Sequence, residues 1–501
     1  MKKIKGALSL SGMSFLALAI NFFATPLYLK WMGKEAFGVY LFAFLLVGYL
    51  NMLDFGFRLG AQQEMIKEHD NGNHHAFWQK WKTNLILTLL VAITGLALFL
   101  IAGKFFPKII SDAKYASQIL YICGVYFFFS QIQSSIAIIF VARSQFTLQG
   151  AINGIGTLTG TCLGIYWAYL YKSPAYIMLG QATIFALQLL ISTLIISREL
   201  VQFFFSTAFD KTSSKRFMQF GLKQYSAAVA GNIASKTDKA LIGAVASKSM
   251  LSDFALAAKF PEILFQIFFH FTQPMLPELT NKFNESAEAW SESFKKNSLY
   301  SLVIGCAFVM IICACSKPLF ELWLGDFTPK NAVLICFLMG IYWGLEVYFN
   351  CLVLATYAAN CPQICFPFSC FNGIATVALT LPMFYFMGIT GVALLNAVIN
   401  LVQLSIMIVV FKHKLQLQID LKEYYKKTSQ IFTLAAVFCI VGYFMTSYLM
   451  NFIYPIAIVM LLPVFSLMYI YTVFSLKIIQ TPQFIVEKIN QAKLSKCATT
   501  E

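Results

Sequence analysis

The chain has 501 residues, of which 59% are hydrophobic and only 12% charged. Soluble domains run at roughly 45–50% apolar and about 25% charged. With a mean hydropathy of +0.70, this composition excludes an ordinary soluble enzyme, a disordered chain and a nucleic-acid-binding domain of ordinary kind. The formal net charge of +15 does not reverse that reading, because the basic residues stand between apolar blocks rather than in one patch, as they do where loops on one side of a bilayer collect Lys and Arg.

In chain order, apolar runs lie near 6–29, 36–61, 84–103, 116–142, 146–171, 174–197, 220–246, 251–277, 298–316, 331–357, 364–387, 389–411, 429–449 and 452–476. At about 20 residues per span, they predict an all-α integral membrane protein of about fourteen transmembrane helices. The first run follows a basic head of Lys2, Lys3 and Lys5. It is longer than the core of about 7–15 residues in a secretory signal, so it reads as a span. No connection is long enough for a soluble catalytic domain, which needs at least about 50 residues. The 12 cysteines fall mostly inside the runs and lack Cys-x-x-Cys pairs or His partners, so neither a metal nor a cofactor is expected.

Of the 37 Lys and Arg, 23 fall on the side shared with the N-terminus, 9 on the other side and 5 within the runs. That bias predicts both termini in the cytoplasm. An internal repeat is also visible. Residues 33–43 can be laid on 247–257, Lys82-Thr83-Asn84-Leu85 on Lys295-Lys296-Asn297-Ser298, and Lys104-Phe105-Phe106-Pro107 on Lys317-Pro318-Leu319-Phe320. Three matches in order at nearly one spacing predict two six-helix lobes, 1–210 and 211–415. Two additional helices follow in 416–480, and 481–501 is expected as a cytoplasmic tail. Repeated halves are the usual construction of secondary transporters.

Gly33-Lys34-Glu35-Ala36-Phe37-Gly38-Val39-Tyr40, continuing to Leu53-Asp54-Phe55-Gly56-Phe57, resembles the start of the Wzx-type polysaccharide flippases. These belong to the multidrug/oligosaccharidyl-lipid/polysaccharide exporter superfamily. Asp238-Lys239-Ala240-Leu241-Ile242-Gly243, Phe254-Ala255-Leu256-Ala257-Ala258-Lys259 and Gln273-Pro274-Met275-Leu276-Pro277 extend the resemblance, which covers about residues 1–415. It implies two bundles around a central cavity, alternating access, and export of an undecaprenyl-diphosphate-linked oligosaccharide such as an O-antigen unit across the bacterial inner membrane. The partners it implies are that substrate, membrane lipids, and polysaccharide polymerase and chain-length machinery, with no nucleic acid.

Ionisable side chains inside spans cost roughly 2.5–3.5 kcal/mol each and are functional candidates by default. Asp54 and Arg58, spaced i, i+4, are predicted on one face of the second helix as an ion pair. Lys236, Asp238 and Lys239 in the seventh run, with Lys259 in the eighth, form a cationic group suited to a diphosphate. Snorkelling of the lysine stems is the alternative. Glu262, His270 and Glu346 are candidates for proton or cation coupling, against simple packing or hydrogen bonding within the bundle. No ATP-binding signature is present, so energy is expected from a gradient, the substrate's own concentration difference or a partner. The competing readings are an ion-coupled drug or metabolite antiporter on the same fold, and an integral membrane enzyme. The enzyme reading would need a large outer loop or a His/Asp/Glu cluster, whereas the five His are scattered.

Overall fold

The computed structural model describes residues 2–54, 56–110, 115–272, 275–359, 361–449 and 466–476. Among them the regular structure is helical, with no strand. The helices are α1 (Lys2–Leu50), α2 (Phe57–Asp70), α3 (His74–Phe105), α4 (Ala116–Ala142), α5 (Phe146–Tyr171), α6 (Pro174–Phe204), α7 (Lys211–Val245), α8 (Lys248–Thr272), α9 (Met275–Glu285), α10 (Ala287–Trp323), α11 (Ala332–Ala358), α12 (Phe366–Lys414) and α13 (Leu421–Leu449). A further short helix, α14, covers Ser466–Ser475.

Among the described residues the apolar runs fall on these helices, two of them (36–61 and 251–277) reaching from one helix into the next. Two of the helices, α1 and α12, hold two runs each, because each is a pair of helices that meet at a kink where one glycine has non-helical dihedrals. Gly33 (φ 78°, ψ 171°) divides α1 and Gly388 (φ 64°, ψ −152°) divides α12. A side chain would strain both conformations. The last run is described only from residue 466 onward, and the expected tail at 481–501 lies outside the described residues. Eight stretches are by themselves long and apolar enough to cross a membrane, which makes this a multi-pass membrane protein. Helices α7 and α8 are not among the eight. They carry the charges, including Lys236, Asp238, Lys239, Lys259 and Glu262.

The run at 36–61 corrects one expectation. It is not a continuous helix: α1 ends at Leu50, a 3-10 turn takes Asn51–Asp54, and α2 starts at Phe57 after Gly56 at φ 72°. Asp54 and Arg58 therefore do not share a helix face.

The chain packs as two compact units, one of Met1–Leu256, Phe327–Lys330 and Ser369–Val392, the other of Ala257–Asp326, Asn331–Phe368 and Ala393–Glu501. In the first, α3 packs on α4, α4 and α5 on α6, α1 on α5, and α2 on α7. Its core includes Phe77, Trp78, Trp81, Ile139 and Phe140. Polar side chains cross between helices inside it: Asn84 Nδ2 donates to Ser135 Oγ at 2.8 Å, and Gln133 Nε2 to Ser192 Oγ at 3.2 Å. Such bonds satisfy groups that lipid cannot. In the second unit, α10 packs on α9, α11 and α13 around Phe294, Leu302, Tyr348 and Tyr424. The two tyrosine hydroxyls meet at 2.9 Å.

Candidate functional site

In the first unit, the arm of α1 after Gly33 runs beside the end of α7. Helix α7 continues to Val245, so Lys236 and Lys239 are intrahelical and not at its end. Gly48 lets the Lys236 side chain approach the α1 backbone: a Cβ at that glycine would stand 3.1 Å from Nζ. One residue on, Tyr49 donates its hydroxyl to Thr237 Oγ1 at 3.3 Å. Asp238 is buried, and its Oδ1 accepts the Lys239 N–H at 2.6 Å.

The polar stripe continues along the chain. Gln131 Nε2 donates to Asn51 Oδ1 at 2.8 Å. Asp54 Oδ1 accepts the Gly56 N–H at 3.0 Å, and its Oδ2 accepts from Arg58 Nε at 3.1 Å and from Nη2. The ion pair predicted between Asp54 and Arg58 is therefore present, made across a turn. Gly48 lies fourteen residues (48 − 34) beyond Lys34. At the helical rise that is about 21 Å, within the roughly 30 Å of a hydrocarbon core.

A second polar cluster ties the link between α6 and α7 to α3. Lys82 Nζ donates to the carbonyl oxygens of Phe204 and Thr207, both at 2.6 Å. His75 Nε2 lies 3.4 Å from Ser206 O, and the Asp210 N–H donates to Thr83 Oγ1 at 3.0 Å. Lys80, buried, reaches Glu64 Oε2 at 3.0 Å and Asp210 Oδ2 at 3.7 Å. The Ser213 hydroxyl, which donates to Asp210, is the main cause holding the Asp210 carboxyl below its usual range. Sequence reasoning named Lys82 and Thr83 only within the repeat and gave none of these residues a role, because only the fold brings 75–83 to 204–213.

In the second unit, Lys259 and Glu262 are half-buried and three apart on α8, hence on one face. The side chain of His270 lies outside the described residues, as do those of 220–235. Glu346 on α11 accepts a hydrogen bond at 3.1 Å from Nδ2 of Asn400 on α12, which also donates to Tyr342 O at 3.2 Å. The Oδ1 of Asn400 and the Oε1 of Gln403 are buried with no hydrogen-bond partner. Asn396, Asn400 and Gln403 stand at i, i+4 and i+7, a spacing that puts three amides on one helix face and that a reading limited to charged residues passes over. Among the described residues, no three His, Cys, Asp or Glu side chains group as metal ligands.

Solved structures share this fold. The lipid II flippase MurJ in an inward closed conformation is similar at a TM-score of 0.67 and 14% identity, covering 93% of this chain and 98% of that one. An inward-facing multidrug resistance MATE family transporter of the MOP superfamily has a TM-score of 0.62 and 14% identity, covering 81% of this chain and 99% of that one. A MOP superfamily transporter from Pyrococcus furiosus has a TM-score of 0.56 and 13% identity, covering 82% of this chain and 97% of that one. Among curated proteins, none matches by sequence. Residues 31–327, more than half of the chain, match the family described as "Polysaccharide biosynthesis protein", and the chain belongs to that family.

Proposed function

We propose that this protein is a flippase that moves an undecaprenyl-diphosphate-linked oligosaccharide, an O-antigen or other surface-polysaccharide repeat unit, across the bacterial cytoplasmic membrane by alternating access of two lobes, 1–210 and 211–415. The observation that carries the reading is the Lys236 ammonium set against Gly48, well inside the predicted span. A cation there costs roughly 2.5–3.5 kcal/mol. A diphosphate suits a cation in that position, since Lys meets phosphate as a point charge. Lys239 adds positive charge one turn further along α7, and Lys259 is a cation on α8. The cargo is then anionic, which argues against a cavity built for cationic drugs.

Glu346 supports an ion-coupled cycle. It is a carboxylate on a membrane helix, held by an amide rather than a cation, and a coupling residue must change its charge during transport. The same feature would serve the second reading, an ion-coupled metabolite antiporter. Glu262 and His270 remain further coupling candidates. In the flippase reading, both termini face the cytoplasm, and polymerase and chain-length machinery receive the exported unit.

The test is the Lys236→Gln/Lys239→Gln double variant in a strain lacking its flippase. The reading expects normal insertion, loss of surface polysaccharide and accumulation of lipid-linked oligosaccharide on the cytoplasmic face. Full complementation would remove the lysines from the substrate path. Export of a cationic metabolite with no change in lipid-linked sugar would favour the antiporter.

A further inference from the structure

An open groove with a volume of about 410 Å³ runs between α3, α4 and α6 in the first unit. Trp81, Leu85, Leu189, Thr193, Phe204 and Phe205 are among its walls, and no charged side chain lines it. Exposed apolar surface is ordinary on a membrane helix. Two features set this stretch apart: it is concave, and one end carries a cation. Lys82 Nζ stands 4.9 Å from the centroid of the Phe204 ring and donates to the carbonyl oxygens of Phe204 and Thr207.

An ammonium has three donors. The third on Lys82 has no acceptor among the described residues, and the recorded partners neutralise none of its charge. Nearby carboxylates are engaged elsewhere, Asp210 by Ser213 and Lys80, Glu199 by Arg143. Arg198 on α6 and Lys211 at the start of α7 are exposed and add to the positive field.

We propose that this groove binds a bilayer phospholipid with an anionic headgroup, one acyl chain lying along Trp81, Leu85 and Leu189 and the headgroup phosphate meeting Lys82. The shape fits a stretch of a single chain. It is open on one unit, so a bilayer lipid enters without any rearrangement of the helices. A polyprenyl phosphate combines the same two chemistries, and the experiment separates the sources. Because Phe204 and Phe205 form groove wall while Lys82, His75 and Thr83 hold residues 204–210, a bound lipid steadies the link into α7. The proposal rests on the membrane-spanning fold and not on the identity of the transported sugar.

The experiment is native mass spectrometry of the full chain, released from detergent with equal amounts of phosphatidylglycerol and phosphatidylcholine. One lysine near a membrane surface should favour the anionic lipid about five-fold. Lys82→Gln should bring the ratio to about one, and Lys82→Arg should keep it. Thr193→Trp fills the groove without touching Lys82 and should remove the retained phosphatidylglycerol, so it decides alone if Lys82→Gln proves unstable. Equal retention of the two lipids by the native chain overturns the proposal. So does undiminished phosphatidylglycerol on the Thr193→Trp variant. Displacement of phosphatidylglycerol one for one by an added polyprenyl phosphate also overturns it and assigns the groove to lipid-linked cargo.

Discussion

Lys34 Nζ lies 2.8 Å from Asp253 Oδ1, joining the two segments, 33–43 and 247–257, that the sequence alignment pairs as repeat counterparts. The contact is an ion pair rather than a directed hydrogen bond. Around it the helices meet closely. A methyl group on Gly38 would run into the carbonyl oxygen of Lys248, whose ammonium sits 3.4 Å over the Phe42 ring. Both partners of the pair are about a quarter exposed, so its intrinsic worth is about 1 kcal/mol or less. Its interest is positional. If transport separates the two repeats here, the Lys34→Cys/Asp253→Cys pair, bridged by a reducible bifunctional reagent, should stop export, and reduction should restore it. Export that continues through the cross-link would mean that these segments stay together throughout the cycle.

The Asp54–Arg58 pair should behave asymmetrically. Removing one partner of a buried pair costs about 3–5 kcal/mol, less where, as for Arg58, the side chain is partly exposed. Asp54 also holds the turn through the Gly56 N–H. Asp54→Ala should therefore lower protein level and melting temperature more than Arg58→Ala. The double variant should recover part of the Asp54→Ala loss, because no lone guanidinium remains. Recovery of stability without recovery of export would place the pair in the substrate path. Two abundant, active single variants would mean that neither charge needs its partner.

Ahead of the apolar run at 429–449, Glu423 accepts from Lys295 Nζ at 2.8 Å and pairs with Lys427 Nζ at 3.0 Å. These two hydrogen bonds pull its carboxyl down to about 2. A carboxylate lowered in the folded state stabilises it fully above the unfolded value, near 4.5, and the contribution fades as pH falls through about 2. Glu423 is well exposed, so screening keeps the effect under about 1 kcal/mol. Chemical denaturation of the native chain and of Glu423→Gln should differ slightly at pH 6 and converge at pH 2. A gap that widens on acidification would reverse the sign.

Helix existence was legible because length and hydropathy alone decide it. Among the described residues the runs from 6–29 to 429–449 fall on helices, with 36–61 and 251–277 on two each, and the basic stretches around 80–82 and 295–296 lie in the first third of α3 and α10. Breaks inside apolar runs were not legible. Residues 36–61 contain no proline, and the polar Asn51 and Asp54 do not by themselves end a helix, so tertiary packing and the positive φ of Gly56 show the turn. Charged candidates were findable one by one, since charge is rare in spans. Their partners were not. Thr237 meets Tyr49 across 188 residues, and Asn400 meets Glu346 across 54; neutral amides and hydroxyls carry no signal in a charge count.

The Glu346–Asn400 contact gives the most discriminating test of coupling. Glu346→Gln keeps the shape and the acceptor that Asn400 Nδ2 uses, while removing the ability to change charge. If Glu346 only hydrogen-bonds within the second unit, that variant should fold and export normally. If its charge follows the ion gradient, export should fall at least about ten-fold, equivalent to about 1.4 kcal/mol, with melting unchanged or raised. Asn400→Leu supplies the contrast. It removes the donor and leaves the carboxyl without its amide, a loss of about 1–3 kcal/mol, so it should lower stability in either case. In the coupled case, Asn400→Leu should also shift the pH at which export is half-maximal, because the amide is the hydrogen-bond partner of the carboxyl. Glu346→Gln should abolish that pH dependence. A Glu346→Gln variant that exports at the native rate with the native pH profile would assign Glu346 to packing and move the search for the coupling carboxylate to Glu262.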